Sequence, residues 1–108
     1  MSMQQAVDTA RRGYHVAVIG AGARHRVGEA ERHASDVSGI IIFRANGRER
    51  ITFPGGGSIY FYRDADGARG TTLDAAYLTD ISLATDGRTL KTLEPCFHDQ
   101  PHRIGVLI

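Results

Sequence analysis

Residues 14–20, Tyr-His-Val-Ala-Val-Ile-Gly, constrain this chain more than any other stretch. The run is apolar without alternation, and a glycine closes it. That is the pattern of a strand covered on both faces, which belongs to parallel sheets with helices on either side. The neighbouring sequence supplies such helices. Met3, Ala6, Val7 and Ala10 fall at helical spacing, and Gly13 follows as a stop. Val27, Ala30 and Ala34 share one side of a weaker helical segment over residues 27–34.

The exit of this strand, Gly20-Ala21-Gly22, has the look of a dinucleotide-binding turn. The fingerprint for that function needs a third glycine three residues after the second, and that position is His25. A strand should also open the motif unit, whereas here a helix comes first. Gly20 and Gly22 are therefore expected to be turn residues with no phosphate to hold.

The remaining segments change character. Gly39–Arg44, Glu49–Phe53 and Ser58–Arg63 read as short strands. Asn46-Gly47 makes a turn between the first two, and Pro54 with three glycines joins the last two. Residues 64–70 form a polar loop, and Leu73–Asp80 is an apolar strand ending in an acid. A short helix follows over residues 86–97, bent or restarted at Pro95, and residues 103–108 make a last apolar strand. Apolar strands alternating with helices give an α/β fold. The expected architecture is a single domain over residues 1–108: a short parallel sheet of three strands with flanking helices, extended by an antiparallel hairpin.

One block is more specific. Asn46-Gly47, Ile51, Phe53, Gly57-Ser58, Ile59, Phe61, Arg69-Gly70, Asp74 and the strand 75–80 occur in the order of a hairpin, an Arg-Gly loop and an acid-terminated strand. In that order they resemble the ATPase domain of phage terminase large subunits, the DNA-packaging motors with a P-loop NTPase core. The resemblance extends over nearly the whole chain. It implies that residues 4–20 are the helix after a P-loop and the next sheet strand, and that Asp80 stands where the family's Walker B strand holds its metal-binding acid. It also implies that the next position, Ile81, replaces the glutamate that orients water. An isoleucine cannot take a proton or polarise a water. The 108 residues contain no G-x-x-x-x-G-K-[ST] sequence to cradle phosphates. The expectation is a degenerate ATPase core with no catalytic residues, no metal and no cofactor.

Composition narrows the remaining classes. Residues 1–63 carry nine arginines against five acids, and residues 64–108 four basic residues against seven acids. This asymmetry makes Arg44, Arg48, Arg50, Arg63 and Arg69 candidate nucleic-acid contacts. Tyr60 and Tyr62 alternate with Ile59 and Phe61 and are candidate base-stacking residues or an outer sheet face. Cys96 is the only cysteine and is expected to be a buried small hydrophobe. The five histidines make no close ligand set; His98 and His102 are separated by Pro101. No window is apolar enough to span a membrane, and the first residues lack a secretory apolar core, so a cytoplasmic protein is expected, in the host cytoplasm if phage-encoded. In the family resembled, the strand before the P-loop lies beside the strand matching residues 103–108. Ile104, Val106 and Ile108 are therefore the candidate interface of an open sheet edge, available to a second copy or to another protein.

Overall fold

The computed structural model describes residues 2–45, 48–97 and 104–107. The turn expected at Asn46-Gly47, the His98/His102 pair and the edge residue Ile108 lie outside these residues.

Helix α1 spans Met3–Arg11. Ser2 starts it: its Oγ accepts from the Gln5 N–H, and the Gln5 side chain accepts from the Ser2 N–H at 2.7 Å. This reciprocal pair satisfies two of the amides that a helix start leaves open. Met3, Ala6, Val7 and Ala10 are all buried, as their spacing requires. Strand β1, His15–Ile19, follows, then a 3-10 turn at Ala23–Arg26 and helix α2, Val27–His33. Val27, Ala30 and Ala34 turn inward beside α1.

Next come β2 (Ile41–Phe43), β3 (Arg50–Thr52) and β4 (Ser58–Tyr62). The loop 64–70 holds a 3-10 turn, Ala65–Ala68, with Asp64 accepting from the Gly67 N–H. Strand β5 is Ala75–Leu78. Helix α3, Ile81–Ala84, was not apparent from the sequence. Helix α4, Gly87–Leu93, runs into a 3-10 turn at Glu94–Cys96, and Pro95 marks the change of geometry. Strand β6 is Ile104–Val106.

The six strands form one sheet in the order β2-β3-β4-β1-β5-β6. β1 lies at its centre, parallel to β4 on one side and β5 on the other, and β6 is parallel to β5. β2, β3 and β4 pair antiparallel. The α/β class and the hairpin extension are as the sequence indicates. The parallel run has four members, because β4 closes the hairpin with one edge and joins β1 with the other.

Helices cover both faces around β1. Val16, Val18, Ile59, Phe61 and Tyr77 pack under α1 and α2, whereas Ala17, Ile19, Ala76 and Leu78 pack under Leu93, Cys96 and Phe97. Each large side chain buried here contributes roughly 1.5–3 kcal/mol relative to exposure. The unbroken apolar run of β1 is thus explained by position: every residue from Val16 to Ile19 is fully buried.

Gly20 and Gly22 do form the exit turn, with φ of 142° and 77°. A Cβ on Gly20 would collide with Thr79 Oγ1. Its missing side chain thus lets the ends of β1 and β5 approach.

Candidate functional site

Three places carry chemistry: the exit of β5, a groove on one sheet face, and the outer edge of β6.

At the exit of β5, the Thr79 N–H donates to the Ile19 carbonyl and continues the ladder one residue beyond the strand. Asp80 then caps α3, its Oδ1 accepting from the Ser82 N–H at 2.9 Å. That backbone hydrogen bond holds the Asp80 carboxyl below its ordinary range. Ile81 is the first helical residue, with 70% of its surface exposed. Among the described residues no three His, Cys, Asp or Glu side chains converge as a metal-holding group.

The groove lies on the sheet face away from α1 and α2. Strand register sets Phe43, Arg50 and Tyr60 in one cross-strand row. The Arg50 guanidinium sits 4.4 Å from the centre of the Phe43 ring. Tyr60 and Tyr62, two residues apart on β4, have rings 6.0 Å apart and almost parallel, at 4°. The Tyr62 hydroxyl is 3.2 Å from Thr71 Oγ1, and burial raises its pKa, so the phenol stays protonated. His15 adds a ring 6.1 Å from Tyr60.

Arg48, Arg50, His15 and both tyrosines line a cleft of about 590 Å³. A second cleft of about 720 Å³ continues from it across Gly70, Thr71 and Thr72, bordered by Arg69, Arg88 and Lys91. Three of the five candidate arginines therefore face one groove. The other two do not. Arg44 pairs with Glu31 at 2.9 Å, and Arg63 lines a separate cavity beside Gly22. Arg88 and Lys91 join the basic set from α4, in the acidic half of the chain, where the charge count had hidden them. Arg69 is braced by Asp66 at 3.0 Å, and Gly70 has the left-handed φ of 81°. Cys96 is buried, and its Sγ–H donates to the Ala68 carbonyl at 3.3 Å. Desolvation raises that thiol's pKa.

At the third place, β6 ends the sheet. Ile104 pairs with Ala76 and Val106 with Leu78, and the Leu107 N–H donates to the Leu78 carbonyl at 2.7 Å. Ile104, Gly105 and Val106 are half-buried, and no described strand lies on their outer side.

Comparison with solved structures accounts for this topology. The chain is similar to the large terminase of a thermophilic bacteriophage. Against its complex with ADP the TM-score is 0.63 at 16% identity, covering 97% of this chain and 29% of that one. Two further crystal structures of the same terminase give 0.64 and 0.63 at 17% identity, again over 97% of this chain. The fold is that of part of a large terminase. The chain spans less than a third of the terminase it matches. No family model matches the sequence, and no curated protein does.

No helix among the described residues is long and apolar enough to cross a membrane.

Proposed function

We propose that this terminase-like module acts without hydrolysing ATP, by lending the open edge of β6 to a strand from another chain. The observation that carries this reading is the position of β6 at the margin of the sheet, with Ile104 and Val106 half-buried and no described strand on its outer side. Apolar edge strands recruit further strands unless they are covered. A two-fold copy is the simplest partner, because antiparallel pairing of two β6 strands closes both edges at once. Light scattering tests it. The intact chain is expected to be a dimer, and Val106→Pro, which removes a ladder donor, a monomer. A stable monomer of the intact chain at high concentration refutes the reading.

Lack of ATP turnover is part of the proposal. No phosphate-cradling sequence occurs in these residues, the Asp80 carboxylate is occupied as a helix cap, and Ile81 follows it. Millimolar Mg-ATP should give no rise in melting temperature that depends on Asp80. A rise that Asp80→Ala abolishes contradicts this.

The groove favours a second reading, a binding surface for single-stranded nucleic acid. Arginines and a lysine beside paired tyrosines are the elements of a stacking platform with an electrostatic lining. If strands bind there, affinity falls linearly in log–log salt plots by about 0.7 per phosphate contacted. Arg88→Ala and Lys91→Ala should each reduce that slope. Salt-independent retention rules the groove out.

A further inference from the structure

A cavity of about 440 Å³ opens at the carboxyl ends of β1 and β4, lined by Gly22, Arg24, His25, Glu49, Phe61 and Arg63 among others. Glu49 sits one residue before β3. Its carbonyl accepts from the Phe61 N–H, so the two residues oppose each other across the strands. Pleating then sends the Glu49 side chain to the same face as Ile51 and Phe61. Glu49 is only 6% exposed, yet its Oε1 is buried with no hydrogen-bond partner among the described residues. Buried polar atoms without partners are rare and costly, and a carboxylate oxygen can be satisfied here only by a donor.

Nearby acids are already committed. Glu29 pairs with Arg26 and Glu31 with Arg44. Arg24 and Arg63, both exposed, are in no ion pair among the described residues. The cavity is therefore lined by one buried carboxylate residue together with two arginines and His25. Its complement is an anion bearing an N–H or O–H donor set back from the charge. The volume lies within the range of small-molecule sites.

We infer that this cavity binds an organic phosphate, with the phosphate held by Arg24 and Arg63 and a donor of the organic part hydrogen-bonded to Glu49. Arginine suits the anionic end because its planar fork matches phosphate geometry. The donor can be a sugar hydroxyl or a base amino group, and both satisfy the same oxygen.

The test is calorimetric titration of the intact chain with ribose 5-phosphate, AMP and inorganic phosphate. Both organic phosphates, or AMP alone, should bind more tightly than inorganic phosphate. Equal binding of the two identifies a hydroxyl donor, and preference for AMP a base donor. Arg24→Ala and Arg63→Ala, both on the surface, should each weaken organic phosphates about tenfold, the loss of one charge-assisted hydrogen bond. Glu49→Gln should weaken organic phosphates and leave inorganic phosphate unchanged. The arginine variants keep the test valid if Glu49→Gln fails to fold. Inorganic phosphate bound as tightly as the others would mean an adventitious ion only and would overturn the proposal. So would absence of binding at millimolar concentration, or unaltered affinity in both arginine variants.

Discussion

Three consecutive glycines, Gly55, Gly56 and Gly57, join β3 to β4, and alanine at each should have a different effect. At Gly57 a Cβ would collide with the Ala10 carbonyl oxygen and stand 2.8 Å from that of Tyr14, where ordinary contact begins near 3.4 Å. Neither oxygen is free to retreat. The Ala10 carbonyl accepts from Gly13 at the end of α1, and the Tyr14 carbonyl accepts from Ser58 as β1 meets β4. One methyl group would therefore push the end of α1 off the sheet. Forced overpacking costs up to about 3 kcal/mol, and occasionally more. At roughly 4–8 °C per kcal/mol for a domain of about this size, Gly57→Ala should melt about 12–24 °C below the parent. Gly56 has open space around it but a φ of 94°, so its alanine variant should lose only the left-handed penalty, about 1–2 kcal/mol. Gly55 meets the Arg11 carbonyl at an ordinary 3.5 Å, and Gly55→Ala should melt within a few degrees of the parent. Thermal unfolding followed by circular dichroism measures all three. If Gly57→Ala melts within a few degrees of the parent, or above Gly56→Ala, the close approach of α1 to β4 is wrong.

Gly70→Val should lower the melting temperature more than Arg69→Ala, because Gly70 needs its left-handed φ whereas Arg69 loses only an exposed ion pair; the reverse order in parallel melts contradicts this. Asp80 and Asp86 cap α3 and α4, and their hydrogen bonds hold both carboxyls below the ordinary aspartate value of 3.8. Their contribution is complete above that value and is lost as pH falls through the lower folded values, so melting temperature should drop below pH 3.8 and drop less in the double variant Asp80→Asn with Asp86→Asn. Cys96, buried under Ala68, should react with a disulfide reagent far more slowly in the native chain than in urea; equal rates would show an open thiol.

Local pattern carried most of the fold into the sequence. The helical spacing of Met3, Ala6, Val7 and Ala10 and the unbroken apolar run of β1 are both consequences of burial, and both could be read directly. α3 could not, since it is four residues long and none of them is buried; only the Asp80 cap announces it. The width of the parallel run was hidden because a hairpin strand and a crossover strand look alike until the second edge of β4 finds β1. The groove was half visible. Arg48 and Arg50 stand in the arginine-rich stretch and Arg69 in the Arg-Gly loop, but Arg88 and Lys91 reach it only through the packing of α4. Glu49 gave no signal, because a lone acid between two arginines at the start of a strand reads as a solvated side chain. Its burial is set by the cross-strand position opposite Phe61.

The central place of β1 also determines how the chain can be made. β1 leaves the ribosome before β4 and β5, so residue 15 must await residue 58, and residue 16 must await residue 75. Until both arrive, the most apolar strand has two bare sides and no hairpin neighbour to shield either. Contacts so distant along the chain slow folding and lengthen the exposure of nascent intermediates. Stalled translation between β1 and β4 would leave an apolar strand without either of its sheet neighbours.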